Sequence, residues 1–292
     1  MTLRSANLTG SLLMVTAMAI FAVEDAFVKA AATVLPVGQT MVIFGLGGAA
    51  IFAAVALITK ERLYTADVIS RPMRIRVVFE IFGRLFYVLA LALTPLSSAT
   101  VILQATPLVV VAGAALIFGE QVGWRRWLAI AVGLIGVLVI IRPGADSFSA
   151  LSILAVIGML GFAGRDLASR AAPAALSTSI LGLYGFLALA FSGGLYAVWQ
   201  GQAFVAPDPQ TCLYLLGAIG AGVAAYACLM KAMRTGEVSA VTPFRYTRLL
   251  FGIAIGLAVF GETLTAPMII GSGLIVLSGL FIMWRGKQVA QD

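Results

Sequence analysis

Ten apolar stretches of 17 to 24 residues make up most of this sequence, and short polar segments connect them. An α-helix rises about 1.5 Å per residue, so each stretch is long enough to cross a hydrocarbon layer of about 30 Å. Only 11% of the residues are charged, whereas soluble domains carry about 25%. We therefore predict an all-α polytopic membrane protein with ten transmembrane helices. Their predicted bounds are Leu8–Ala31, Val37–Ile58, Met73–Leu93, Ser98–Phe118, Arg125–Ile141, Ala150–Ala171, Ser177–Trp199, Thr211–Met233, Ser239–Phe260 and Ala266–Trp284.

A short pattern occurs twice, about 140 residues apart, each time at the end of one apolar stretch and inside the next. The repetition predicts two related halves, residues 1–145 and 146–292, with five helices each. Because five crossings reverse the direction of the chain, the second half is expected to be inverted in the membrane. The two copies are Ile117-Phe118-Gly119-Glu120 followed by Gly133-Leu134-Ile135, and Val259-Phe260-Gly261-Glu262 followed by Gly273-Leu274-Ile275.

The distribution of basic residues predicts the orientation. If the amino terminus is cytoplasmic, fourteen of the nineteen Lys and Arg residues lie on the inner side and only Arg142 lies outside. This bias follows the positive-inside rule, so both termini are predicted to be cytoplasmic. Glu120 is then expected at the cytoplasmic face and Glu262 at the outer face. The four remaining basic residues lie within predicted helices: Lys29, Arg84, Arg245 and Arg248.

Two features limit other interpretations of the chain. Arg4 precedes an apolar stretch in which Ala17-Met18-Ala19 could act as a signal-peptide cleavage site, but cleavage would leave nine helices and break the repeat. The sequence has no histidine, and Cys212 and Cys228 fall in one apolar stretch. Histidine-based metal sites and catalytic dyads are thus excluded, a disulfide framework is disfavoured, and we expect no catalytic residues, metal or cofactor.

Ten helices in two inverted halves, each closed by Gly-Glu and then Gly-Leu-Ile, resemble the drug/metabolite transporter superfamily in its ten-helix EamA-type branch. Within that branch the chain is most similar to bacterial exporters of amino acids, the aromatic amino-acid exporters above all. The resemblance implies two inverted bundles around a central cavity and a transporter, not an enzyme, in the inner membrane. It also implies that the last two helices of each half form a scaffold. Small residues there predict close helix packing: Gly133, Gly136, Gly271, Gly273 and Gly279.

The expected partners are a small-molecule substrate and the lipid bilayer, and a homo-oligomer stays open. We expect no nucleic acid, because loop topology accounts for the net charge of +7.

Seven ionisable residues fall inside predicted helices, and each costs about 3 kcal/mol if it faces lipid, about 20 kcal/mol in total. They must therefore face a wet cavity, pair with each other, or extend to an interface. Lys29 and Arg245 lie near helix ends and are expected to extend to the outer and inner face. The seven are Glu24, Asp25 and Lys29 in the first helix, Glu80 and Arg84 in the third, and Arg245 and Arg248 in the ninth.

Spacing predicts which of these residues face each other. Glu80, Arg84, Tyr87 and Leu91 form one stripe of the third helix, and Glu80 and Arg84 can pair at i,i+4. Either this pair is structural, or it binds substrate, which the neighbouring Tyr87 favours. Asp25 and Lys29 share the same spacing and are expected to neutralise each other.

Several polar and aromatic residues are candidates for the substrate site. Arg248 suits a carboxylate, with a pair to Glu24 as the alternative. Gln104 lies one turn before Pro107, whose ring would free a backbone carbonyl and create a polar spot, with a helix kink alone as the alternative. Glu24 resembles the first-helix carboxylate of the small four-helix multidrug transporters, and whether it couples transport to protons stays open. The predicted substrate-binding residues are Phe21, Glu24, Glu80, Arg84, Tyr87, Gln104, Phe162, Tyr246 and Arg248, with helix packing as the alternative for Phe162.

Three acids against four bases within the predicted helices favour a zwitterion or weak anion. We therefore predict an exporter of amino acids, aromatic or bulky apolar ones preferred. The alternatives are a broad metabolite or drug permease, which could be proton-coupled, and, from other classes, an intramembrane enzyme or a scaffold without a transport pathway.

Overall fold

The computed structural model describes residues 3–119, 122–142, 149–171, 173, 175–235 and 241–289. These residues are helical in every predicted span, which confirms the all-α architecture. Short 3-10 helices occupy Ala66–Ile69 and Thr242–Tyr246. The α-helices are α1 (Leu3–Ala32), α2 (Val37–Ile58), α3 (Arg71–Leu93), α4 (Leu96–Leu103), α5 (Thr106–Phe118), α6 (Trp124–Ile141), α7 (Ser152–Arg170), α8 (Thr178–Gln200), α9 (Pro209–Thr235), α10 (Thr247–Phe260) and α11 (Ala266–Val289).

The fourth predicted span is broken into α4 and α5. α4 ends at Leu103 and α5 begins at Thr106, with Pro107 in its first turn. Proline lacks an N–H and its ring excludes the carbonyl one turn earlier, so the helix cannot continue through this point. The predicted kink is confirmed. The ninth span is similarly divided between the 3-10 helix at Thr242–Tyr246 and α10.

Among the described residues, six helical segments are long and apolar enough to cross a membrane: α1, α2, the α4–α5 segment, α7, α8 and α9. α3 has 23 residues but carries charges along its length. Arg71 and Arg74 in its first turn are exposed, but the charges further along face inward, because Arg76 and Glu80 are buried. Ile75, Val78 and Phe82 are exposed. α3 therefore presents an apolar surface outward and a charged one to the protein interior.

The helix pairing relates the two halves. α1 packs against α9, and α3 packs against α7. The first span of each half therefore packs against the third span of the other half. This symmetric pairing is the one expected for inverted repeats. α2 pairs with α8, and α6 with α11, so the second and fifth spans meet their own counterparts. The packing confirms two inverted five-helix repeats, while the residue at which they divide stays a prediction.

Close packing of the scaffold helices is confirmed for α6 and α11. A Cβ atom added to Gly136 would lie 2.8 Å from the carbonyl oxygen of Gly271, and one added to Gly271 would lie 2.5 Å from that of Gly136. Gly133 and Gly279 also face side chains of neighbouring helices. The same prediction is wrong for Gly273, around which a Cβ would meet no described atom within 4 Å.

The repeated Gly-Glu pattern ends a helix in each half. Gly119 follows α5 with φ 67°, and Gly261 follows α10 with φ 62°. This left-handed conformation is accessible to glycine at little cost, and it commonly terminates helices. The following glutamate in the first half, Glu120, lies outside the described residues.

Glu262, the glutamate of the second half, binds the amino end of α4 in the first half. Its carboxylate accepts hydrogen bonds from the backbone N–H groups of Leu96 at 2.5 Å and Ser97 at 3.0 Å. The Ser97 hydroxyl donates a third at 2.5 Å. These N–H groups have no partner within their own helix, so Glu262 serves as an N-cap supplied by the other half.

Contacts between connecting segments agree with the predicted sidedness. Gln39 Nε2 donates to the carbonyl of Val205 at 2.6 Å, and both residues were predicted at the outer side. The Ser177 hydroxyl donates to Glu61, and both belong to the predicted inner side. Which of the two sides is the cytoplasm stays a prediction.

Candidate functional site

A network of charged side chains occupies the protein interior where α1, α3, α7 and α10 meet. Glu24, Asp25 and Glu80 are only 2–3% exposed. A buried charge is strongly unfavourable without a partner, so their contacts define the chemistry available here. Among the described residues no group of histidine, cysteine and acidic side chains could hold a metal ion.

Glu80 is the branch point of this network, because three arginines contact its carboxylate. Arg84 Nε donates to Oε1 at 3.2 Å, which confirms the predicted pair. Arg165 Nη1 donates to the same oxygen at 3.4 Å. Arg76 Nη2 lies 3.6 Å from Oε2. The predicted stripe is also confirmed, since Tyr87 and Leu91 are buried on the same face of α3.

Arg165 and its neighbour Asp166 belong to this network, although the sequence analysis placed Arg165 with the inner-side basic residues. Arg165 donates from Nε at 2.9 Å and from Nη2 at 2.8 Å to Asp166 Oδ1. Its guanidinium lies 4.7 Å from the ring centroid of Phe162. Arg245 Nη2 lies 3.8 Å from Asp166 Oδ2. Arg245 is therefore directed at an acid, and its extension to the inner face stays a prediction.

Asp25 joins α1 to α3 and α10 through one oxygen. Tyr87 donates its hydroxyl hydrogen to Oδ2 at 3.0 Å, and Arg248 Nη2 donates to the same atom at 2.6 Å. The suggestion that Arg248 pairs with Glu24 is wrong.

Lys29 does not neutralise Asp25, so that prediction is also wrong. Its Nζ donates to the carbonyl oxygens of Leu91 at 2.9 Å and Thr94 at 2.6 Å. These carbonyls have no partner one turn further on, because α3 ends at Leu93. Lys29 reaches the outer end of α3, in line with the predicted extension towards the outer face.

Glu24 is the least satisfied acid of the network. Its Oε1 lies 3.5 Å from Arg84 Nη1, a long contact. Its Oε2 is buried and has no hydrogen-bond partner among the described residues. Arg248 Nε is in the same condition. Arg76 Nη1 is a third such atom. The described network thus offers one buried acceptor and two buried donors that a ligand could satisfy.

Aromatic rings lie against the arginines of the network. Phe21 is 4.9 Å from the Arg248 guanidinium, and Phe162 is 5.7 Å from that of Arg84. Tyr87 and Phe162 also contact each other edge to face, with 5.7 Å between their centroids. Arginine over an aromatic face is attracted electrostatically, and more strongly where water is excluded.

Two predicted site residues lie away from the network. Tyr246 packs against α11, where a Cβ added to Gly279 would lie 1.6 Å from its hydroxyl. Gln104 is buried at the break between α4 and α5, and its Nε2 has no acceptor among the described residues. The structure therefore unites the other seven predicted residues and leaves these two apart.

A second internal repeat identifies the residues that the sequence analysis missed. Phe21-Ala22-Val23-Glu24-Asp25 on α1 recurs as Phe162-Ala163-Gly164-Arg165-Asp166 on α7, 141 residues later. Both copies lie in the charged network, and each has a phenylalanine one turn before its charged pair. Comparison of the two halves at this offset would have predicted Arg165 and Asp166.

Comparison with known proteins identifies the family. The model of the EamA-like transporter family matches residues 8–142 and again residues 150–284. The chain belongs to the EamA-like transporter family. The resemblance to the drug/metabolite transporter superfamily is thereby confirmed.

The relatives of this transporter carry different substrates. It is 31% identical over 223 residues to a riboflavin transporter of Vibrio cholerae, covering 75% of this chain and 73% of the relative. It is 25% identical to an S-adenosylmethionine uptake transporter of Rickettsia prowazekii, covering 75% and 74%. It is 28% identical to the pseudopaline exporter CntI of Pseudomonas aeruginosa, covering 92% and 94%. One solved crystal structure superposes with a TM-score of 0.66 at 19% identity, covering 96% of this chain and 98% of the other, which supports the fold.

Proposed function

We propose that this EamA-like transporter exports amino acids with an aromatic or bulky apolar side chain by alternating access of its two halves. The observation that carries this proposal is the buried network of acids and arginines against which aromatic rings pack. Arginine binds carboxylates through paired hydrogen bonds, and an acid binds an ammonium group. The rings provide a surface for an apolar body.

The charge balance of the network supports a zwitterion or weak anion. The described ion-pair network holds four acids and five arginines, which leaves one positive charge. A substrate with several like charges would leave a large uncompensated charge inside the membrane. The residues counted are Glu24, Asp25, Glu80 and Asp166, and Arg76, Arg84, Arg165, Arg245 and Arg248.

Contacts between the two halves support a rocking movement. Glu262 of the second half accepts a hydrogen bond from Ser97 of the first half. Arg165 and Arg248 of the second half pair with Glu80 and Asp25 of the first half. Movement of one half against the other would break and re-form these contacts. The same proposal includes the inner membrane, cytoplasmic termini, and repeats at residues 1–145 and 146–292; a homo-oligomer stays a prediction.

The test is exchange transport in proteoliposomes that contain the purified chain. Vesicles loaded with unlabelled phenylalanine should accumulate labelled phenylalanine or tryptophan from outside, with and without a pH gradient. Accumulation that depends on the gradient would indicate proton coupling. No exchange of either amino acid by folded protein would contradict the proposal.

A broader metabolite permease is the second candidate, and the named substrates of the relatives favour it. They are riboflavin, S-adenosylmethionine and pseudopaline, and they include both an uptake transporter and an exporter. The same vesicles should therefore also be tested with riboflavin and S-adenosylmethionine. Exchange of these compounds with no exchange of amino acids would favour the second candidate.

A further inference from the structure

The related segments of α1 and α7 differ in the sign of one charge. Phe21 and Asp25 correspond to Phe162 and Asp166, but Glu24 corresponds to Arg165. In inverted repeats, corresponding residues lie at matching depths measured from opposite faces of the membrane. A negative and a positive group therefore occupy equivalent positions in the two halves.

Both of these unlike residues have bonding capacity left for a ligand. The Glu24 carboxylate is 3% exposed, and its Oε2 has no partner among the described residues. Arg165 has five N–H donors, of which its hydrogen bonds to Asp166 and Glu80 use three. Asp166 binds two of its nitrogens, which fixes the plane of the guanidinium.

The third helix connects these two groups. Arg84 contacts Glu24, and Glu80 contacts Arg165. Arg84 and Glu80 are four residues apart on α3, about one turn of the helix. Both groups therefore meet the same short stretch of α3, where one small ligand with a positive and a negative end can reach them by hydrogen bonds.

We propose that Glu24 and Arg165 are two opposite poles of one binding site, which selects zwitterions and orients them across the membrane. The ammonium group binds at Glu24, and the carboxylate binds at Arg165. The apolar body lies against Phe162. This inference rests on the proposed function and adds which charged group of the substrate each residue binds.

The selectivity follows from the cost of an unpaired charge. An amine without a carboxylate leaves the donors at Arg165 unused, and an acid without an ammonium group leaves Glu24 Oε2 unsatisfied. A hydrogen bond to a charged group contributes enough to change affinity by about tenfold or more. Each singly charged analogue should therefore bind at least about tenfold more weakly than the zwitterion.

Three compounds with the same ring test the proposal by competition for labelled phenylalanine in proteoliposomes. Unlabelled phenylalanine carries both charges, phenylethylamine only the positive one, and 3-phenylpropionate only the negative one. Phenylalanine should compete at least about tenfold better than either analogue. This series uses the unaltered protein, so it remains decisive if a variant fails to fold.

Two variants assign the poles. Glu24→Gln should weaken the binding of phenylalanine and phenylethylamine and leave the binding of 3-phenylpropionate unchanged. Arg165→Gln should weaken the binding of phenylalanine and 3-phenylpropionate and leave the binding of phenylethylamine unchanged. Glu61→Gln and Arg74→Gln remove the same charges outside the network and serve as matched controls.

The possible results separate this inference from the proposed function. If phenylalanine is transported and both analogues compete as well as unlabelled phenylalanine, the assignment of the two poles is refuted and the proposal of amino-acid transport stands. The inference is also refuted if Glu24→Gln and Arg165→Gln change all three affinities by the same factor. If none of the three compounds is recognised by folded protein, amino-acid transport fails, and the inference fails with it.

Discussion

Replacement of Glu80 by glutamine should destabilise this transporter far more than removal of a carboxylate outside the network. The Glu80 side chain is 3% exposed and compensates Arg76, Arg84 and Arg165. Glutamine has nearly the same shape but no charge. The variant therefore tests electrostatics and leaves packing almost unchanged.

The magnitude follows from the burial of the arginines. Removing one partner of a buried ion pair typically costs about 3–5 kcal/mol. Because each kcal/mol lowers the melting temperature of a chain of this size by about 2–4 °C, the expected loss is of order 10 °C. Glu61 is the matched control, since it is half-buried and accepts a hydrogen bond from the Ser177 hydroxyl. Glu61→Gln should cost about 1 kcal/mol, or about 2–4 °C.

The assay is thermal unfolding of the purified variants in one detergent, followed by tryptophan fluorescence and by recovery of monodisperse protein. Arg84→Glu combined with Glu80→Arg should not restore stability, because the new positive charge would face Arg76 and Arg165. A melting temperature for Glu80→Gln within about 2 °C of the unaltered protein, or full rescue by the double exchange, would refute the branched network.

The remaining predictions concern other parts of the chain. Tyr87→Ala should reduce phenylalanine transport about twofold to tenfold more than threonine transport at equal protein levels, and equal losses would make Tyr87 a packing residue. Gly136→Leu places atoms where a Cβ is already 2.8 Å from a carbonyl oxygen of α11; it should cost about 1–3 kcal/mol in thermal unfolding. Glu61→Cys should be labelled by a membrane-impermeant thiol reagent from the cytoplasm and Asp208→Cys from outside, and the reverse pattern would overturn the orientation. Hydrogen bonds from Thr211 lower the pKa of the Asp208 carboxyl. The ionised carboxylate should therefore stabilise the protein above the ordinary pKa of an aspartate, and this stabilisation should be lost as the pH falls through the lowered pKa. The measurement is the difference in melting temperature between the unaltered protein and Asp208→Ala across this pH range.

The number and type of the helices could be predicted from the sequence because membrane insertion depends on properties local to each segment. Length and hydropathy decide whether a stretch can span, and proline decides where it breaks, as Pro107 does. The predicted bounds of the second span, Val37–Ile58, are identical to those of α2. The inverted pairing followed from the odd number of helices per half.

The site could be predicted only where partners lie on one helix. Glu80 and Arg84 are four residues apart, so helix geometry alone brings them together. Asp25 and Arg248 are 223 residues apart, and their contact depends on how α1 and α10 are rotated against each other. Spacing also allowed a pair of Asp25 with Lys29, but Lys29 instead binds the free carbonyls at the end of α3. Local spacing permits a contact and does not decide among competing partners.

The opposite charges at Glu24 and Arg165 have a consequence for the evolution of the fold. A dimer of identical subunits must carry the same residue at both symmetry-related positions. A transporter assembled from two copies of one half would therefore present two equal charges and could not distinguish the ends of a dipolar molecule. Joining the halves in one chain allows each to mutate separately, and a permanent electrical polarity along the membrane normal becomes possible. The membrane potential acts on that polarity differently in the inward-open and outward-open states, so it shifts the balance between these two states in the fused chain, which it would not do through two equal charges at symmetric positions.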